Sequence, residues 1–241
     1  MPAPGTPVLP RRSPRPLRRP AAVIFDMDGL MLDTEPLAAR AWTDAARRLG
    51  VDFDHAVTPR LIGRNFPDCR ALIRAHHGDR YPVDALMRAW AEAYDAIVAR
   101  EGIGRKAGLG ELLAWLEQED IPKAVATSTR RARAEAKLAE ASLLGRFAAL
   151  VGGDEIANGK PAPDIFIEAA ARLGIAAAEC IVLEDSEPGI IAALAAQMIP
   201  IMVPDLAPPS VALLAREPLV LVSLGEVHAH LAALPVPGAV R

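Results

Sequence analysis

The sequence holds only two cysteines, Cys69 and Cys180, which lie far apart and outside any metal-ligand or redox spacing. Their scarcity excludes a disulfide framework and a cysteine-built metal centre, and it suits a reducing compartment, with the cytoplasm the expected location. No apolar run approaches the roughly 18 residues needed to cross a bilayer. With a net charge of −3, the chain lacks the broad positive field that nucleic acid or anionic lipid would require. Neither nucleic acid nor a membrane is therefore an expected partner. The exception in charge is residues 1–20, MPAPGTPVLPRRSPRPLRRP, mostly Pro and Arg. This segment lacks the apolar region of a secretory signal, and its prolines forbid a transit-peptide helix; the expectation is a disordered tail outside the chemistry.

What is present is a chain of 241 residues, 51% hydrophobic and 24% charged, long enough for one large domain or for a core with an insertion. Short apolar runs alternate with helical patterns, the signature of a parallel sheet flanked by helices. The candidate strands are AAVIF (21–25), KAVAT (123–127), AALV (148–151), CIVLE (180–184), IMV (201–203) and PLVLV (218–222). None alternates, as expected of strands buried on both faces. Pro200 beside the fifth run predicts an edge strand, since proline cannot donate to a central ladder.

Residues 36–104 contain helical patterns and no convincing strand. Leu37, Ala41, Ala45 and Leu49 repeat at helical spacing, as do Leu86, Trp90, Tyr94 and Ile97. These stripes, with Trp42, read as the core of a helical insertion rather than a stacking platform. Its return near Gly102-Ile103-Gly104 has the makings of a hinge. Thr34 is the expected N-cap ahead of Pro36, and the pairs His76/His77 and His228/His230 read as solvated helix faces.

Ligands of open α/β sheets bind at the carboxyl ends of the strands. Here the first strand ends in Asp26-Met27-Asp28-Gly29, the second in Thr127-Ser128-Thr129 and the fourth in Glu184-Asp185-Ser186, while Gly159-Lys160-Pro161 follows the third. Carboxylates so close repel, and burying them costs several kcal/mol without compensation. A hard divalent cation with a phosphate oxygen is one chemistry that compensates them, and Mg²⁺ prefers such ligands. Taken singly, each residue has a plainer reading. The aspartates can cap turns, Thr127 and Ser128 can cap a helix starting near Arg130, Ser186 can cap the helix after it, and Lys160 can be a surface lysine.

The segments FDMDGLMLDTE, AVATST, NGKPAPDIF and VLEDSEPGI, in this order, resemble the four motifs of the haloacid dehalogenase superfamily, in its β-phosphoglucomutase-like branch with a helical cap. The resemblance spans roughly residues 21–232 and implies a Rossmann-like, doubly wound parallel core (21–35 and 105–241) with an inserted α-helical cap (36–104). It implies a Mg²⁺-dependent phosphatase acting on a small phosphorylated metabolite. Carried onto this sequence, it makes Asp26 the nucleophile and Asp28 the general acid and base. Thr127 and the Ser128 N–H would clamp the phosphoryl group, Gly29 would adjoin it, and Lys160 would steady nucleophile and phosphate. Glu184 and Asp185 would join the Asp26 side chain and the Asp28 carbonyl around the metal. Arg64 and Asn65 in LIGRNFPD are the expected substrate contacts. Ala38 stands where mutases of the branch carry a cap histidine, which favours a phosphatase over a phosphotransferase; retention of Asp26 and Asp28 argues against a non-catalytic phospho-ligand-binding protein. Gln197 stands where relatives commonly have glycine. Monomer and homodimer are equally open.

Overall fold

A computed structural model of the chain describes residues 19–235. Six strands, β1 (Ala22–Phe25), β2 (Lys123–Ala126), β3 (Ala149–Val151), β4 (Cys180–Glu184), β5 (Ile199–Met202) and β6 (Leu219–Val220), form one sheet in the order β3-β2-β1-β4-β5-β6. Every pairing is parallel. The chain starts mid-sheet, winds outward to β3, then crosses back to β4, so the carboxyl ends of β1, β2 and β4 share one rim.

Alternation along the strands divides the core. Val23 and Phe25 of β1 and Ile181 and Leu183 of β4 pack with α4 (Leu109–Gln118), α5 (Arg131–Glu140) and α9 (Leu224–Ala232). Ala22, Ile24, Cys180 and Val182 face the other way, onto α6 (Asp164–Leu173) and α7 (Glu187–Ala195). A sheet covered on both faces keeps the middle of its strands apolar and confines charge to their ends, Lys123 opening β2 and Glu184 closing β4, which explains the unalternating runs.

Pro200 does not mark an edge. β5 lies between β4 and β6, but β6 pairs only with Ile201 and Met202, so the proline sits where that neighbour has not yet begun. Gln197 adopts a left-handed φ of 60°, the conformation glycine takes at least cost.

Between β1 and α4 run α1 (Glu35–Leu49), a 3₁₀ turn (His55–Arg60), α2 (Phe66–His77) and α3 (Val83–Glu101). They enclose a core of their own, in which Trp42 stacks between Phe53 (5.2 Å) and Trp90 (5.1 Å), and Trp90 stacks on Tyr94 (5.3 Å). Thr34 holds the N-cap position of α1 ahead of Pro36, yet its side chain makes no capping bond. His76 is not simply solvated: its Nε2 lies 2.7 Å from Asp54 Oδ2. The two crossings into and out of this helical region run side by side. The Asp33 N–H donates to Gly104 O (2.9 Å) and the Lys106 N–H to Met31 O (2.9 Å), while Lys106 Nζ donates to both Asp33 and Asp205 at 2.7 Å.

Residues 1–18 of the expected tail lie outside the described residues. Arg19 is already docked, paired with Glu119 and 5.7 Å above the Trp115 ring.

Candidate active site

The chain turns sharply after β1. The N–H groups of Met31 and Leu32 both donate to Met27 O at 3.0 Å, and Gly29 takes φ +83°. A Cβ on Gly29 would stand 2.4 Å from Asp185 Oδ2. Glycine is therefore what lets the β1 turn close against the end of β4. At β4 the Ser186 hydroxyl caps α7, accepting from the Gly189 N–H at 3.3 Å, and donates to Glu184 Oε1 at 2.6 Å. The capping bond predicted from sequence thus also orients Glu184.

Lys160, wholly buried, comes from the loop before α6 and donates to Asp26 Oδ1 (2.5 Å) and Glu184 Oε2 (2.8 Å). Burial by itself would lower the lysine pKa, but the two carboxylates outweigh it and hold the ammonium charged well above its ordinary range. One lysine does not neutralise three carboxylates. Burial and then Glu184 push Asp26 up to about 8, and burial with Glu184 and Asp26 raises Asp185 well above its usual range.

One carboxylate oxygen from each of Asp26, Glu184 and Asp185 lies within 4.8 Å of the other two, and all three residues are buried. Asp185 Oδ1 is enclosed and accepts no hydrogen bond. An orphaned carboxylate oxygen inside an over-acidic cluster fits a hard divalent cation. Glu184 is the least available of the three, since both its oxygens are already engaged by Lys160 and Ser186.

Asp28 has a different environment. Burial would raise its pKa, but Lys137, which donates to Oδ1 at 2.6 Å, together with the hydroxyls of Thr129 (2.7 Å to Oδ2) and Thr34, leaves it below the ordinary value. Thr127 accepts from the Thr129 N–H at 3.1 Å, and Ser128 Oγ donates to Gly63 O at 2.9 Å across to the helical region. Neither caps α5, whose N-cap position is Arg130.

A cavity of about 550 Å³ lies over this rim. Asp26, Asp28, Thr127 and Ser128 are on its core side; Trp42, Phe66, Trp90 and Tyr94 line it from the helical region, so the aromatic stripe both fills a core and walls the cavity. Arg64 lines it. Asn65 does not: its Oδ1 accepts from the Asp68 N–H at 2.9 Å, capping α2, and its amide packs on Gly159. Gly29 lies beside Asp185 rather than on the cavity wall, and Lys160, Glu184 and Asp185 sit buried beneath it. Lys137 and Thr129 line the cavity and were missed from sequence. The available signal for Lys137 was its place next to Leu138 and one turn after Arg133 and Ala134, on the inward side of α5.

A buried acidic cluster with a lysine at the strand ends of a doubly wound core defines a class of hydrolase. The family model described as haloacid dehalogenase-like hydrolase matches residues 20–197, and the chain belongs to that family. It is 35% identical over 181 residues to the fructose-1-phosphate phosphatase YqaB of Escherichia coli K12, covering 75% of this chain and 94% of that protein. It is 32% identical over 185 residues to the β-phosphoglucomutase of Bacillus subtilis 168, covering 73% and 80%. The solved structure of CbbY from Rhodobacter sphaeroides in complex with phosphate superposes with a TM-score of 0.72 at 27% identity, over 86% of this chain and 96% of that one.

Proposed function

We propose that the chain is a Mg²⁺-dependent phosphatase that hydrolyses a small phosphorylated metabolite, a sugar phosphate or similar phosphomonoester, through an aspartyl-phosphate on Asp26. The observation that carries the reading is the pair Asp26 and Asp28 on one cavity wall, one held by a buried lysine below and the other by separate donors. Family membership and the phosphatase named above support it.

Asp26 attacks phosphorus while Lys160 fixes its carboxylate. Asp28 gives a proton to the leaving oxygen and afterwards takes one from the water that opens the aspartyl-phosphate. Thr127 and the Ser128 N–H bind the phosphoryl oxygens. The Asp26, Glu184 and Asp185 side chains, with the Asp28 carbonyl, would hold the metal, which when bound would supply positive charge against the phosphoryl oxygens and the carboxylates. Residues 36–104 serve as a cap over a core of 21–35 and 105–241, excluding water from the aspartyl-phosphate. The cytoplasm is the site of action; among the described residues no helix is long and apolar enough to cross a membrane.

The likeness to a β-phosphoglucomutase supports a second reading, a phosphotransferase. Ala38 in place of the mutase cap histidine weighs against it. Orthophosphate release from a panel of phosphometabolites, dependent on Mg²⁺ and lost in Asp26→Asn, tests the main reading. Isomerisation of β-glucose 1-phosphate with its phosphate retained would establish the second, and phosphate binding without turnover would leave only a binding protein.

A further inference from the structure

An ion pair at the cavity wall joins Asp28 to a lysine that has no part in the mechanism above. Lys137 projects from α5 with Nζ 2.6 Å from Asp28 Oδ1, while Thr129 Oγ1 stands 2.7 Å from Oδ2. Both oxygens of the carboxylate are therefore held, and its torsion is fixed from two directions. The pair is largely withdrawn from water, with side-chain exposures of 11% for Lys137 and 22% for Asp28.

The other side of the ammonium faces the cap. Nζ lies 5.1 Å from the centroid of the Tyr94 ring, which belongs to α3. One turn earlier on α5, Arg133 stands 5.2 Å from the same centroid and pairs with Asp95, also of α3. Two cations on one helix face thus share an aromatic ring of the cap, one reaching outward to a cap carboxylate and the other inward to Asp28. An ion pair removed from water is expensive to assemble, and an apolar residue of similar length would pack against Tyr94 at lower cost. Packing alone does not call for a lysine here.

We propose that Lys137 is a positioning residue for Asp28, holding its carboxyl group where it meets the leaving-group oxygen, with Tyr94 of the closed cap confining the ammonium to that place. The proposal rests on the phosphatase reading. Lys137 keeps its proton throughout. Asp28 rests ionised between Lys137 and Thr129; it takes the P–OH proton of the phosphomonoester monoanion and passes it to the ester oxygen as the P–O bond breaks and the Asp26–P bond forms. Water then returns a proton to Asp28 as its oxygen bonds phosphorus and the Asp26–P bond breaks, releasing orthophosphate. Loss of the anchor leaves the carboxyl group free to rotate, which costs orientation rather than binding.

The test exploits leaving groups that need the proton to different degrees. p-Nitrophenolate departs unaided, phenolate less readily and benzyl alkoxide only when protonated, while the three phosphates are similar in shape. The enzyme with Mg²⁺ is assayed on p-nitrophenyl, phenyl and benzyl phosphate as wild type, Lys137→Met and Lys137→Arg. For Lys137→Met the expected loss of kcat/KM is about 10- to 100-fold on benzyl phosphate and under about threefold on p-nitrophenyl phosphate, because the term lost is general acid catalysis. Lys137→Arg, which keeps the charged donor, recovers part of the benzyl phosphate activity. An equal loss on all three substrates, or no loss, overturns the Lys137 role and leaves the phosphatase reading intact. A wild type that hydrolyses neither these three nor any member of the phosphometabolite panel overturns both. If Lys137→Met fails to fold, Lys137→Gln gives the same comparison.

Discussion

Gly63, in the loop before α2, packs so closely on Ser186 that a Cβ at position 63 would stand 2.2 Å from the Ser186 hydroxyl oxygen and 2.6 Å from its Cβ. Its carbonyl accepts from Ser128 Oγ at 2.9 Å, and its φ is +72°. One residue of the helical region therefore touches two of the four motif segments, and the fit depends on there being no side chain. Gly63→Ala is expected to hold the cap off the core. Left-handed strain alone is worth about 1–2 kcal/mol, or roughly 5- to 30-fold in kcat/KM, with the α-helical circular dichroism unchanged. Unaltered steady-state kinetics would show that this contact plays no part in closure.

Lys160 is the only positive charge bonded to Asp26 and Glu184 among the described residues. Lys160→Met should destabilise the protein by about 3–5 kcal/mol, because two buried carboxylates lose their partner. Adding Asp26→Asn should restore part of that stability, since the two changes act on one network. Urea denaturation of the single and double variants measures both effects; additive losses would contradict the network.

Without metal, Asp26 is pushed up to about 8 from an ordinary 3.8, chiefly by burial and Glu184, and Asp185 is raised as well. Between those values the folded chain retains protons that the unfolded chain has released, so stability falls as pH rises through that window. Glu35, pushed up to about 7 by burial and then Asp28, acts in the same direction. The melting temperature of chelator-treated protein is expected to fall from about pH 5 to about pH 8. Mg²⁺ should raise it most at the upper end, where cation binding no longer displaces protons. A Mg²⁺ increment independent of pH would count against Asp26 and Asp185 as ligands.

Asp28→Asn is expected to lower turnover by about 10²- to 10⁴-fold, the usual worth of general acid–base catalysis. Its Mg²⁺ affinity, measured by calorimetry, should stay near that of wild type, because the proposed metal contact is the main-chain carbonyl. Lost affinity in this variant would reassign Asp28 to the metal.

Much of the sheet was legible because a parallel strand covered on both faces reads as a continuous apolar run, as β1 does and as β4 does up to Glu184 at its carboxyl end. Strand ends were less so: β5 begins at Ile199, two residues before the expected run, and β6 is only Leu219–Val220. Pro200 misled because its consequence depends on how far the next strand extends, which is not a local property. Asn65 misled in a similar way, since a capping residue and a substrate contact have the same side chain until the cavity is visible.

The sequence by itself determined which carboxylates stand at strand ends and that they need a cation, because strand polarity, capping and charge repulsion act within a few residues. Only the tertiary structure decided which cation each acid receives. Lys160 reaches Asp26 across 134 positions and Lys137 reaches Asp28 across 109, and such pairings follow from helix packing on the sheet rather than from any spacing along the chain. The same packing turned an aromatic stripe into a cavity wall, because α1 and α3 can bury one side of Trp42, Trp90 and Tyr94 while the core rim leaves space beside them.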